Sequence, residues 1–275
     1  MTRSSASTKQ TASPSPLLRE TRGDIAVLTL DQPASRNALS EAMIAALHAE
    51  LNDIGGDKRI RAVVIAANGP AFSSGHDLKE LTARRADADK GRAFFAHMMQ
   101  SCSAMMQTIV HLPKPVIAAV QGVATAAGCQ LVATCDLAVA SEKASFATPG
   151  IDIGLFCSTP MVALSRNVPR KHAMHMLMTG DHLSADRARE LGLVNTVVSA
   201  GKEREVAIAL ADRIAKKSAY TLKVGKEAFY RQAEMNLADA YAYTAKVMTE
   251  NMMARDAQEG IGAFIEKRDP EWEDK

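Results

Sequence analysis

No apolar run in this 275-residue sequence is long enough to span a bilayer. The nearest candidate, 116–135, is interrupted by Gln121, Thr125, Gln130, Thr134 and two glycines. The sequence also lacks the apolar core of a secretory signal near its start. Charge of one sign is not in excess: 33 basic and 31 acidic side chains leave a formal net charge of +2. No basic stripe, block or helix stands out, so a nucleic-acid-binding role, RNA included, has no support. Cysteine is scarce. Cys102, Cys129, Cys135 and Cys157 show neither a disulfide framework nor a C-x-x-C pair, so reduced thiols in a cytosol-like compartment are expected. Cys129 and Cys135 lie among apolar residues and read as small hydrophobes. No metal site is expected.

What remains is an ordinary globular composition, 47% hydrophobic and 23% charged. The length suits one large domain, or one domain with an appendage. Residues 1–16, "MTRSSASTKQTASPSP", are rich in Ser, Thr and Pro and have no acid. Such a segment buries too little apolar surface to offset its ordering entropy, so a disordered tail is expected. An organelle transit peptide is the alternative, since those are also acid-poor and Ser-rich. The tail reading goes with a cytoplasmic location and the alternative with the mitochondrial matrix.

Beyond the tail, strands are expected at 25–30, 61–67, 115–120 and 137–141. They are apolar on both faces, which suits a sheet covered on both sides. Helices are expected at 40–54, capped by Ser40, and between 90 and 111. Then come a short capped helix over 183–194 and longer ones near 202–218, 219–231, 236–253 and 255–268. The division is an α/β core over 17–200 and a helical region over 201–275.

Two loops are dense in small residues, "NGPAFSSGHDLKEL" (68–81) and "TAAGCQ" (125–130), and each follows a strand. The second enters a helix from about Ala126 onward. A helix N-terminus has amides without intrahelical partners and the positive end of the macrodipole. Two such loops could aim two amides at one carbonyl oxygen, forming an oxyanion hole. On spacing alone, close helix–sheet packing explains the small residues equally well, and both readings stay open here.

The stretches "IAVLTLDQPASRNALS", "AFSSGHDLKEL", "KPVIAAVQGVATAAGCQLVATCDLAVASEKASFATPGIDIGLF", "MLMTGDHLSADRARELGLVNTVV" and "EGIGAFIEKR" occur in this order. Together they resemble the enoyl-CoA hydratase/isomerase (crotonase) superfamily over nearly all the chain beyond the tail. The resemblance implies an α/β spiral of ββα turns with a helical C-terminal trimerisation region. It also implies a homotrimer or dimer of trimers, an acyl-CoA thioester ligand, and a place in fatty-acid or related metabolism. No permanent cofactor is implied, because coenzyme A arrives as part of the thioester. The two carbonyl-polarising amides map to His76 and Ala127. Candidate CoA contacts are Arg36, Ala38, Ser74, Asp77, Leu78 and Lys79, with Phe264 and Lys267 reaching a neighbouring subunit's CoA.

The pattern breaks at the acids. Gln130 and Gly150 occupy the positions where hydratases of the family carry two glutamates, a feature of the branch of enoyl-CoA hydratase domain-containing proteins it most resembles. A glutamine can hold a water but cannot take its proton at neutral pH, and a glycine does neither. A positioned acid or base contributes ~10²–10⁴ in rate, so standard hydration is expected to be weak or absent. Candidate replacement acid–base groups are Asp152 and the His76 side chain, although His76 is expected to supply its amide with the ring pointing elsewhere. Asp152 lies between Ile151 and Ile153 in a strand-like alternation and faces either the pocket or water. Phe156 and Cys157 are expected to reshape the acyl pocket. His111, His172, His175 and His182 are expected to lack partners. The expected protein is a lyase or isomerase of this family; the alternative is a non-catalytic acyl-CoA-binding or regulatory protein.

Overall fold

The computed structural model describes residues 15–275. The tail or transit-peptide readings therefore fall almost wholly outside the described residues. The chain begins with a hairpin, β1 (Leu17–Arg22) and β2 (Ile25–Leu30), turned at Gly23. It continues through α1 (Glu41–Gly56), β3 (Ala62–Ala67), β4 (Ala71–Ser73), α2 (Leu78–Ala83) and α3 (Arg92–His111). Next come β5 (Val116–Val120), β6 (Val123–Thr125), α4 (Ala127–Thr134), β7 (Leu137–Ser141) and β8 (Ser145–Ala147). After them run α5 (Pro160–Asn167), α6 (Arg170–Thr179), β9 (Leu183–Ser184), α7 (Ala185–Glu190) and β10 (Thr196–Val198). Four helices finish the chain: α8 (Glu203–Ala215), α9 (Ala219–Gln232), α10 (Leu237–Met253) and α11 (Arg255–Glu266).

Two sheets result. The larger has the order β1-β2-β3-β5-β7-β10 and is parallel except for the first hairpin. The smaller has the order β4-β6-β8-β9, antiparallel only at β8–β9. Each long strand β3, β5 and β7 is followed within a few residues by a short strand in the second sheet, and then by helix. This is the expected spiral of ββα turns.

The apolar runs "AVVIAA" and "VIAAV" are buried on both faces, as a doubly covered parallel sheet requires. On one face Val63, Ile65 and Ala118 join a core with Leu47 and Leu51 of α1 and Met98 and Met105 of α3. On the other, Val64, Ile117, Ala119 and Val139 pack against Ala207 and Ala211 of α8. The 201–275 segment thus contributes its first helix to the core, and only α9 to α11 stand off from the sheet.

The four expected long strands are present, and α1 is capped as expected, with Met43 N–H donating to Ser40 Oγ at 3.2 Å. The 183–194 helix is shorter than expected, because Leu183–Ser184 pair with β8 and Ser184 caps α7. Residues 149–153 form a 3-10 turn rather than a strand, so the alternation around Asp152 does not describe that segment. Among the described residues no helix is long and apolar enough to cross a membrane.

Candidate functional site

The two small-residue loops meet. From β4 the chain turns through Ser74 and Gly75, whose φ of +88° is comfortable only for glycine. A Cβ at Gly75 would lie 2.9 Å from Ala126 Cβ and 3.2 Å from Ala127 N. Crossing this closely, the loops bring the amide of His76, next in the chain, toward the first amide of α4. Among the described residues neither amide donates a hydrogen bond. For Ala127 this follows from its place at a helix N-terminus, where the macrodipole also favours a negative oxygen.

Alanine in place of glycine at 127 costs little, because Ala127 is already helical. The strain falls one residue earlier. Ala126 has φ 50° and ψ −119°, a region suited to glycine, and is held there by its N–H donating to Ala147 O at 2.9 Å. Gly128 serves packing instead. A Cβ there would sit 2.3 Å from Ser73 O, so its bareness lets α4 lie against β4. Close packing thus accounts for the bareness of Gly128, and the crossing of the two loops for that of Gly75.

The segment 35–39 is laced to the first loop. Ser74 N–H donates to Arg36 O at 3.0 Å and Leu39 N–H to Gly75 O at 2.8 Å. Arg36 and Asn37 are both left-handed at φ 53°. Asn37, fully buried, donates to Asn68 O and Ala71 O and accepts from Gln32 N–H, each at 2.8 Å. This scaffolding role was not read from the sequence; an asparagine tolerating positive φ was the available signal. Arg36, Ala38 and Ser74 are thereby brought together. Asp77 caps α2, accepting from Lys79 N–H at 2.9 Å and Glu80 N–H at 3.2 Å, so its carboxylate is already engaged. Leu78 and Lys79 are exposed on the first turn of that helix. Phe264 and Lys267 are not brought to these residues within one chain: α11 packs on α9 and α10, and Phe264 is 84% exposed.

Three polar side chains around the loops are buried without partners: His76 Nε2, Gln130 Oε1 and Thr148 Oγ1. Such atoms are rare in folded proteins. Thr148, fully buried two residues before Gly150, was not singled out from the sequence. Burial holds the His76 imidazole below its usual value of 6.5, outweighing the opposing Leu39 contact. The neutral ring carries its proton on Nδ1, which donates to Leu39 O at 3.3 Å, and leaves Nε2 as an acceptor.

Gly150 has no room for a side chain. A Cβ there would lie 2.7 Å from Leu155 O and 2.8 Å from Cys157 Sγ, so the 154–157 loop fills the space. Cys157 is buried against Gly150, whereas Phe156 is 41% exposed. Asp152 is exposed, with its carboxylate against Gly180 at the end of α6. Of the histidines expected to lack partners, His182 Nδ1 lies 3.1 Å from Ser145 Oγ and His175 Nε2 lies 3.9 Å from Asp181. Burial pushes the thiols of Cys102 and Cys129 up to about 12, so they behave as apolar side chains. Among the described residues no group of three or more His, Cys, Asp or Glu is placed to hold a metal.

A cavity of about 1460 Å³ opens beside α4, between α3, α5 and α9, and Gln130 forms part of its wall. Deep in it, Asp136 receives Lys226 Nζ at 2.7 Å and Tyr230 OH at 2.8 Å. Lys226 also donates to Ile109 O at 2.8 Å and Lys114 O at 2.9 Å.

Residues 20–275 match the family model described as enoyl-CoA hydratase/isomerase. The human enoyl-CoA hydratase domain-containing protein 3, mitochondrial, is 48% identical over 245 residues, covering 89% of this chain and 79% of that protein. The crystal structure of the same human protein superposes with a TM-score of 0.89 at 46% identity, covering 94% of this chain and 100% of that one. An enoyl-CoA hydratase structure from Mycobacterium smegmatis gives a TM-score of 0.88 at 49% identity, covering 94% and 98%.

Proposed function

Since the chain belongs to the enoyl-CoA hydratase/isomerase family, we propose that it binds an acyl-CoA thioester and polarises its carbonyl with His76 N–H and Ala127 N–H. The observation that carries this is the close crossing of the loops at Gly75, with both amides left free. A preorganised main-chain donor of this kind contributes about 2.7–4 kcal/mol to a developing oxyanion. Arg36, Ala38, Ser74, Leu78 and Lys79 line the CoA side, and Asp77 shapes it as a helix cap.

Standard hydration is weak or absent on this reading. Gln130 stands where one glutamate would be, and at Gly150 the 154–157 loop leaves no space for the other. The remaining chemistry is enolate-type, with His76 Nε2 as the available acceptor. A non-catalytic acyl-CoA-binding role is the second reading, favoured by the outward position of Asp152. Coenzyme A comes and goes with the substrate, and the metabolic setting is acyl-CoA turnover.

An assembly of three chains, or six, is part of the proposal: α10 buries none of its 17 residues within one chain. In it Phe264 and Lys267 would reach a neighbour's CoA. The mitochondrial location in the relative's name favours the matrix over the cytoplasm for this chain as well.

The direct test is the carbon-13 resonance of butyryl-CoA labelled at the thioester carbonyl. Binding should move it downfield, and Gly75→Ala, which drives a Cβ into Ala126, should abolish the shift. An unshifted resonance in the bound natural protein overturns the polarisation. In parallel, crotonyl-CoA hydration should be slow and rise about 10²-fold in Gln130→Glu. Fast hydration by the natural sequence would refute the reading of the two positions.

A further inference from the structure

Lys267, at the end of α11, is left-handed at φ 58°, a conformation that glycine takes freely and a side chain disfavours. Lys267 N–H donates to Phe264 O at 3.3 Å and Arg268 N–H to Ala263 O at 3.0 Å, so the chain reverses there. A residue with a Cβ stays in such a region only where its surroundings hold it.

The hold comes from residues 268–274, which run back along α11 as a strap. Arg268 meets Glu259 with two bonds, Nη1 to Oε1 at 2.6 Å and Nη2 to Oε2 at 3.1 Å. The guanidinium holds the Glu259 carboxyl down to about 2, so this clasp is charged at neutral pH. Glu271 N–H donates to the same carboxylate at 2.9 Å. Asp256, whose side chain is fully buried, accepts Glu273 N–H and Asp274 N–H, each at 2.9 Å. The Trp272 ring covers Gly260, where a Cβ would lie 3.0 Å from it.

The strap is also hooked to the spiral. Trp272 Nε1 donates to Lys216 O at 3.0 Å. Asp274 accepts Arg61 Nη1 at 2.6 Å and Ala219 N–H at 2.7 Å. Arg61, just before β3, donates also to Ala215 O and Lys217 O, each at 2.7 Å. The start of β3 and the junction of α8 and α9 thus grip α11 through the strap, at Asp256, Glu259 and Gly260. Lys267 lies about 16 Å along the helix from Asp256, so a tilt of about 10° there would carry it about 3 Å. That distance is enough to break a hydrogen bond.

We propose that the strap is a positioning device: Asp256, Trp272 and Asp274 set the direction of α11 and so aim Lys267 at a neighbouring chain's CoA. The inference rests on the acyl-CoA reading above, with Lys267 as a contact, and adds the residues that fix its aim. None of the three touches the ligand; they act through Lys267.

The test is calorimetric titration of the full chain with free CoA. Gly260→Leu keeps a good helix former in α11 and drives the ring away. Trp272 is the sole tryptophan, so its emission should shift to the red. CoA should bind about tenfold more weakly, the lower end of what one charged hydrogen bond contributes. Trp272→Gly, which deletes the ring outright, and Asp274→Asn should give the same loss. In a Lys267→Ala background none of these changes should weaken CoA further, and all the variants should sediment as the natural protein does. An equal loss with and without Lys267, undiminished affinity in Trp272→Gly, or a broken assembly overturns the positioning role and leaves the acyl-CoA reading standing. If Lys267→Ala alone binds CoA as before, the strap has nothing to aim and falls with that contact. No affinity of the natural protein for CoA overturns the strap and the acyl-CoA reading together.

Discussion

At Ala126 a residue with a Cβ occupies a conformation that glycine takes freely. The cost of such a conformation is of order 1–3 kcal/mol, partly offset by the smaller unfolded-state entropy of alanine. Ala126→Gly should therefore raise unfolding stability by about 1 kcal/mol, read from urea denaturation, and leave the carbonyl shift of bound thioester unchanged. A loss of stability would mean that the backbone is not strained there. His76 makes a second prediction at this scale. Its folded-state value lies below 6.5, so the unfolded chain binds the proton first as pH falls. Its contribution to stability is intact above that value and is lost as pH drops through it toward the folded value. His76→Gln keeps the main-chain amide and should flatten that part of the stability profile. If the natural protein and the variant lose stability in parallel from pH 7 to 5, the ring is not held neutral.

At the scale of elements, α9 is fastened to the spiral by one buried constellation. Lys226 and Asp136 have side chains only 10% and 16% exposed. Burial lowers the Lys226 ammonium while Asp136 raises it, and burial prevails. Asp136 also accepts Val116 N–H at 2.7 Å, so the pair ties α9 to the start of β5. Removing Asp136 alone would leave a buried cation and should cost about 3–5 kcal/mol. In Lys226→Met with Asp136→Asn the charges leave together, and part of that loss should return. Strict additivity of the single changes in denaturation would show that the pair does not interact. This fastening could not be read from the sequence, because its partners lie 90 residues apart. The same limit explains Gly150: nothing local says that Leu155 O and Cys157 Sγ will fill the space beside it. What could be read was short-range or repetitive. Ser40 announced α1, and the doubly apolar runs at 62–67 and 116–120 announced central strands. Three-residue strands such as β4, β6 and β8 carry too little periodicity to be distinguished from loop. Of the site, the small-residue loops were visible, whereas the Gly75–Ala127 approach and the orphaned Thr148 hydroxyl needed three dimensions.

The whole molecule is two unlike parts: a spiral whose sheet is covered on both faces, and an arm, α9 to α11, that is not covered. On that arm Leu237, Tyr241, Met253, Phe264 and Ile265 are each more than 70% exposed. Scattered apolar residues on a surface are ordinary, but a set this size on adjoining helices marks an interaction face. α10 packs on α9 and α11 but has no fully buried residue within one chain, so its outer face is open to a partner. If the partner is a second and third copy, sedimentation at micromolar concentration should give a multiple of three chains, and Tyr241→Glu should release monomer. Lys267 then separates a functional assembly from a merely structural one. A charged hydrogen bond to a CoA phosphate contributes about 1.5–3 kcal/mol. Lys267→Ala should thus weaken CoA binding tenfold or more in the assembled protein. In the Tyr241→Glu monomer, where no neighbour's CoA is within reach, the same change should have no effect. Equal losses in both backgrounds would place Lys267 at its own chain's ligand, and a natural protein that sediments as a monomer would remove the shared site altogether.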